Sequence, residues 1–284
     1  PDAVNGYAEN ALKWGVQGFK EDTMLGTSLH DDGNYNPILT ALTEDKNQLM
    51  IVRNAAYSVP GDILRANDFN YGMNYNRMPL NLGAFAASGQ GNVYPDILGG
   101  AYGDTSNSSW TMNNEEYKSA IKKAVTFHST YAPYIYSAAV KNYETGYPYA
   151  HTPLYIAYPD EAPVHELYNT DTQNWEWMVG ESLLAAPIFG NDLSKTARDI
   201  YLPKGKWMDI ETGEIFEGPV TLKNYELPLG KTPAFVGGKG ILVGEDIDEE
   251  NLTKPAEEGN YFAEVYPVAK KGTVYDYTYV DGET

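Results

Sequence analysis

GVQGFKEDTM, residues 15–24, opens apolar and closes on charge: Gly18 and Phe19 run into Lys20, Glu21 and Asp22. The stretch in front of it, AVNGYAENALKW (3–14), places its apolar residues at roughly helical spacing, and Gly15 is a helix stop. A helix, a glycine and then a short strand that finishes on polar groups is the texture of an α/β barrel repeat. In such a repeat the strand ends face a shared pocket, which accounts for carboxylates where a buried strand stops.

Working outward, the pattern recurs. NPILTALTED (36–45) reads as a helix and QLMIVRN (48–54) as a strand ending at Arg53. MPLNLGAFAASG (78–89) reads as a helix of small residues, and NVYPDILGG (92–100) as a strand and loop holding Asp96. Residues 114–146 form a long helical region, interrupted around Pro133 and stopped at Gly146. Near residue 150 the texture changes. PLYIAYP, LLAAPIF, ARDIYLP, KWMDI, EIFEGPVTL and TPAFVGGKGILVG are short runs divided by Gly, Pro and Asp, an antiparallel β pattern. DIDEENLTKPAEEG (246–259) reads as a charged linker, and the segment from 259 onward as a hairpin in another β unit. The architecture is therefore α/β units followed by an antiparallel β-sandwich.

The chain has 284 residues, 42% hydrophobic and 13% aromatic, enough for a packed core. Its 39 acidic and 20 basic residues give a net charge of −19, which argues against nucleic acid and anionic membranes as partners. With no cysteine, disulfides, thiol nucleophiles and cysteine metal sites are excluded. No apolar run reaches membrane-spanning length. The four histidines, His30, His128, His151 and His165, lack metal-ligand spacing, and His128 is expected to pack within its helix. HDDGNYN (30–36) lacks the spaced ligands and distal glutamate of a calcium loop. NSS at Asn107 and NLT at Asn251 are acceptor sequons of a kind that arises often by chance. No metal or organic cofactor is called for.

Chemistry concentrates at the strand ends. Asp22 closes one strand, and Asp68, 46 residues after Asp22, follows the strand ending at Arg53. Two carboxylates held about 5–5.5 Å apart suit retaining glycoside hydrolysis, one as nucleophile and one as acid/base. Tyr57, Phe69, Tyr71 and Tyr75 are candidate walls that would raise the acid's pKa, while Arg53 and Lys20 would keep Asp22 ionised or hold sugar hydroxyls. The same carboxylates suit a solvated rim or structural ion pairs, and the pattern alone does not separate Glu21 from Asp22.

Several stretches resemble glycoside hydrolase family 31, the retaining α-glycosidases. GVQGFKEDTM is similar to the family's nucleophile strand, and IVRNAAYSVPGDILRANDFNYG to the segment leading to its acid/base aspartate. MPLNLGAFAASGQGNVYPDILGG resembles the helix and Asp-Ile-Gly-Gly strand end that follow, and YAPYIYSAAVKNYETGYPYAHTPLYIAYPD a later helix and turn. WEWMVGESLLAAPIF and IYLPKGKWMDIETGEIFEGP, the most specific of these, resemble the start of its proximal β-sandwich. The resemblance implies Asp22 as nucleophile and Asp68 as acid/base, with Asp62 the rival. It also implies Lys20, Arg53 and Asp96 as contacts to the cleaved sugar. The implied fold is the C-terminal portion of a (β/α)8 barrel over 1–160, a proximal β-sandwich over 161–245, and a linker with the start of a further β-domain over 246–284.

Two departures follow. The family's first three barrel strands have no counterpart. After EEY (115–117), KSAIKKAV replaces the Arg-Trp segment and a last strand with a sugar-binding histidine. The remaining strands are expected from the rest of a longer chain. The implied activity is exo-acting hydrolysis of a terminal α-linked sugar by double displacement, on an oligosaccharide or glycoconjugate, outside the cell or at its surface. α-Glucosidase, α-xylosidase, α-galactosidase and α-N-acetylgalactosaminidase activities all fit. The alternatives are a lyase or transglycosylase on the same site, a non-catalytic carbohydrate-binding remnant, and an acidic interaction module.

Overall fold

The computed structural model describes residues 2–21, 41–43, 48–52, 63–65, 78–89, 93–94, 115–169, 172, 174–188, 194–252 and 254–279. The chain forms two compact units, Pro1–Phe69 with Asn92–Ile97, and Asn70–Gly91 with Leu98–Thr284. This division differs from the boundaries expected at 160 and 245.

In the first unit, helix α1 (Asp2–Lys13) runs to Gly15, whose φ of 88° ends the helix as expected. Four strands follow: β1 (Gly18–Glu21), β2 (Leu49–Val52), β3 (Ile63–Arg65) and, after an excursion into the second unit, β4 (Val93–Tyr94). They form one parallel sheet in the order β1-β2-β3-β4. Glu21 pairs with Val52, Val52 with Leu64 and Leu64 with Val93, so all four strands leave the sheet at one edge. The strand β3 was not anticipated. Its three residues follow Pro60 and Gly61 and are too few to show alternation.

The second unit contains α2 (Met78–Ala87), whose buried Leu82, Phe85 and Ala86 recur at helical spacing. Gly83 lies against the Tyr168 ring, where a Cβ would collide with it. The long helical region is two helices, α3 (Glu115–Thr130) and α4 (Ala132–Thr145). Pro133 sits in the first turn of α4, where its missing N–H costs nothing, and Gly146 caps the end at φ 73°. His128 is exposed on α3, a correction to its expected packing.

Beyond α4 the chain turns antiparallel. Strand β5 (Thr152–Pro153) leads directly into α5 (Leu154–Ala157), followed by a 3-10 turn at Ala162–Glu166. PLYIAYP is thus mostly helix where a strand was expected; an apolar run of four residues fits either. Next come β6 (Trp177–Val179), β7 (Leu183–Ala185), β8 (Ala197–Asp209), β9 (Ile215–Glu226) and β10 (Ala234–Val236). They assemble with β5 into one six-stranded sheet, order β5-β6-β7-β10-β8-β9. ARDIYLP and KWMDI, expected as separate runs, make one strand whose register slips between Arg198 and Ile200 and between Leu202 and Gly205.

The last two strands, β11 (Ile241–Glu245) and β12 (Tyr261–Val265), pair antiparallel from Ile241↔Val265 to Glu245↔Tyr261. The hairpin expected beyond 259 is therefore corrected. β12 finds its partner upstream, and Ile247 bridges Pro255 across the charged segment.

Strand alternation splits the core in two. Met178, Leu184, Trp207 and Phe235 enter one cluster with Leu154, Val164 and Leu167. Their neighbours Leu183, Ala234 and Val236 enter another with Tyr131, Tyr134, Leu242 and Val268. Central strands buried on both faces explain why LLA and AFV read as continuous apolar runs. Full burial of each large side chain stabilises by roughly 1.5–3 kcal/mol.

Candidate active site

Of the residues expected to do chemistry, Lys20 lies among the described ones. It is exposed in β1, on the sheet face opposite Phe19, and is paired in register with Ile51. Asp22, Arg53, Asp68 and Asp96 lie outside the described residues, as do Asp62, Tyr57, Phe69, Tyr71 and Tyr75. Asp22 directly follows the last residue of β1 and Arg53 the last of β2; Asp68 comes three residues after β3, and Asp96 two after β4. The register puts those four strand ends on one edge. Among the described residues no group of His, Asp and Glu is arranged to hold a metal ion, and no helix is long and apolar enough to cross a membrane.

The second unit holds polar clusters that the sequence reading missed. Glu176 and Arg198 are both fully buried and meet at 2.6 Å. Arg198 Nη1 also donates to the Trp175 carbonyl at 2.7 Å and the Pro187 carbonyl at 2.8 Å, and the Tyr201 amide donates to Glu176 at 3.0 Å. Burial pushes the Glu176 carboxyl up, and the Arg198 guanidinium and Tyr201 amide oppose that push. A glutamate between two tryptophans in WEWM is a local sign of a buried carboxylate, but nothing in the local pattern names Arg198, 22 residues on, as its partner.

Asp209 ends β8 and organises the turn to β9. It accepts the amides of Glu211 and Thr212 at 2.9 and 2.8 Å, the Tyr225 hydroxyl at 2.6 Å and the Lys231 ammonium at 3.0 Å. Burial alone would raise its pKa, but these donors outweigh it and hold the carboxyl below its usual range. Glu181 joins α4 to the sheet, receiving Lys141 at 3.0 Å and Lys239 at 3.1 Å.

His151 stacks on Trp177 with ring centroids 4.7 Å apart, and its Nε2 lies 3.4 Å from the Tyr168 hydroxyl. Burial lowers its pKa to about 3. A base whose pKa is depressed in the fold stabilises it fully above the unfolded value, near 6.5, and that stability is lost as pH falls toward 3. The ring keeps part of its surface in water, which trims the effect. Going from pH 7 to pH 5 should therefore cost about 1 kcal/mol through this residue. Urea midpoints at both pH values, compared with His151→Phe, check this: the variant should lose distinctly less stability on acidification.

Residues 146–242 match the family model described as the glycosyl hydrolase family 31 C-terminal domain. Alpha-glucosidase 2 of Bacillus thermoamyloliquefaciens is 38% identical over 104 residues, which is 37% of this chain and 12% of that protein. An alpha-glucosidase of Saccharolobus solfataricus is 31% identical over 159 residues, covering 53% of this chain and 22% of that protein. The chain thus spans between about a tenth and a quarter of the length of these relatives. The crystal structure of the Flavobacterium johnsoniae GH31 dextranase FjDex31A, complexed with glucose, superposes with a TM-score of 0.64 at 18% identity, over 88% of this chain and 38% of that one. At that identity the likeness is one of fold. The matched segment contains WEWMVGESLLAAPIF and IYLPKGKWMDIETGEIFEGP and the whole strand run from β5 to β10, and over it the chain is similar to the C-terminal domain of glycosyl hydrolase family 31.

Proposed function

We propose that this chain is part of a retaining α-glycoside hydrolase and contributes β1–β4 as half of a (β/α)8 barrel. The observation that carries the reading is the single edge at which four parallel, sequentially ordered strands end, each within three residues of Asp22, Arg53, Asp68 or Asp96. Barrel chemistry sits at that edge. β1 and β3 are second neighbours, so their ends are roughly 9–10 Å apart at the usual strand spacing. A covalent glycosyl intermediate requires two carboxyl groups roughly 5–5.5 Å apart, a span shorter than that between these ends.

In this reading Asp22 attacks the anomeric carbon while Asp68 protonates the departing glycosidic oxygen. Asp68 then takes a proton from water, which displaces Asp22 and releases the sugar with its original configuration. Arg53 holds Asp22 ionised, and Lys20 and Asp96 hold hydroxyls of the cleaved sugar. The substrate is an oligosaccharide or glycoconjugate with a terminal α-linked sugar, met outside the cell or at its surface. The remaining barrel strands come from the longer polypeptide.

The test is hydrolysis of aryl α-glucoside, α-xyloside, α-galactoside and α-N-acetylgalactosaminide by that polypeptide, with the product anomer followed by NMR. Turnover of one sugar with the α-anomer released first is the expected result. A β-anomer released first, or binding of every sugar without turnover, would overturn it.

A further inference from the structure

Helix α2 packs within the second unit, yet the chain on either side of it belongs to the sheet of the first. The chain leaves β3 at Arg65, forms α2, and returns so that β4 pairs with β3 at Leu64↔Val93. Pro79, Leu82, Gly83 and Ala86 recur at steps of three and four residues and are the buried face of α2. Against Gly83 stands the ring of Tyr168, which has little room to retreat. It meets Tyr155 edge-on with centroids 5.3 Å apart, and the fully buried Trp175 at 5.7 Å. Its hydroxyl lies 3.4 Å from Nε2 of His151, which is itself stacked on Trp177. A Cβ at residue 83 would come within 2.5 Å of Tyr168 Cε1 and 3.1 Å of Cδ1, so only glycine lets α2 sit where it does. The path back to the sheet is short. The Gly89 amide donates to the Ala86 carbonyl at 3.1 Å and closes the last turn of α2, and residues 90–92 alone separate it from Val93.

We propose that Tyr168 is a positioning residue: through Gly83 it sets the place of α2, and α2 sets the place of β4 and of Asp96, two residues beyond it. The proposal rests on the glycosidase reading, in which Asp96 holds the cleaved sugar. It adds that a ring taking no part in the chemistry governs how well that sugar is held. Three features carry it. The ring is wedged among other aromatic side chains, and a close-packed interior passes strain on instead of absorbing it. A hydrogen-bonded helix moves as a body, so a displacement at Gly83 reaches the C-terminal end of α2. Three residues leave little slack between that end and β4. A misplacement of about 1 Å at a reacting centre, even one caused from far away, can cost about 10²-fold in rate.

The test uses Gly83→Ala, Tyr168→Leu and the two combined. In this chain, Gly83→Ala should move the amide chemical shifts of Val93 and Tyr94 as well as those of α2. The double variant, whose smaller side chain makes room for the added methyl, should return them toward the unaltered values. In the longer polypeptide, Gly83→Ala should lower kcat/KM on an α-glycoside by about 10–10²-fold. The double variant should recover most of that loss. Tyr168→Leu alone leaves α2 without its stop and should lower kcat/KM too, which reads the contact should Gly83→Ala disturb folding. A contact that only stabilises would lower the denaturation midpoint and leave kcat/KM unchanged in both single variants, and that result overturns the proposal. So do Val93 and Tyr94 amides that stay still in Gly83→Ala. If the longer polypeptide turns over no sugar in any form, the glycosidase reading falls, while those two amides still decide whether α2 passes its position to β4.

Discussion

Replacing Arg198 with methionine should cost about 3–5 kcal/mol, enough to consume much of the stability of an ordinary domain. The charge on Glu176 would then keep only the Tyr201 amide and no opposite charge in a place without water, since both side chains are fully buried. The carbonyls of Trp175 and Pro187 would lose their donor in the same step. Removing both charges should hurt less: Glu176→Leu with Arg198→Met deletes the desolvation cost along with the attraction. The pH dependence has a definite sign. In Arg198→Met the unpartnered Glu176 has a pKa raised further by burial, so its protonated form is favoured in the fold. Its contribution is retained below the unfolded carboxylate value and lost as pH rises. The deficit relative to the unaltered protein should be smaller at pH 5 than at pH 8. Denaturant melts of the three proteins at both pH values measure this, and a single variant no less stable than the double one would refute the argument.

The second large effect concerns the proposed carboxylates in the longer polypeptide. Asp22→Asn should remove turnover of every α-glycoside, because no covalent intermediate can form without the nucleophile. Asp68→Asn should be selective. On a substrate with an alcohol as leaving group the lost acid should cost about 10²–10⁴-fold. With an activated aryl leaving group, which departs without a proton, glycosylation should survive and hydrolysis of the intermediate become limiting. Azide needs no general base, so it should restore turnover in Asp68→Asn and give the α-glycosyl azide, whereas azide rescue of Asp22→Asn should give the β-anomer by one inversion. Exchanged outcomes would exchange the two roles. If Asp62→Asn behaves as described for Asp68→Asn, the acid/base moves to Asp62.

Much of the architecture was legible in the sequence for identifiable reasons. Gly15 and Gly146 end helices through left-handed backbone, and Pro133 marks the break between α3 and α4. WEWMVGESLLAAPIF and IYLPKGKWMDIETGEIFEGP fall inside the matched family segment. What escaped was local pattern shorter than its own period. Three residues of β3 and four of α5 carry no periodic signal, so tertiary pairing decides them. The partner of β12 escaped for another reason: Ile241–Glu245 had already been read as a sandwich strand, and period-2 alternation does not say which strand pairs with which. The Glu176–Arg198 pair spans 22 residues and is invisible to any local rule. For the candidate site, strand ends were legible because apolar runs stop there, while the roles of Asp22 and Asp68 came from family resemblance.

The double-sided burial of β7 and β10 means that α3, α4 and the antiparallel sheet share one cooperative fate. Val179, Leu183, Ala234 and Val236 look toward Tyr131 and Tyr134, not toward water. A shortened polypeptide starting at residue 161, where a boundary seemed natural from texture, would strip that cover and present a sticky apolar sheet face. A stretch that keeps this cover therefore reaches back through α4 and Tyr131, and helix–sheet contact, more than the change from helical to strand texture, marks where this part of the protein holds together.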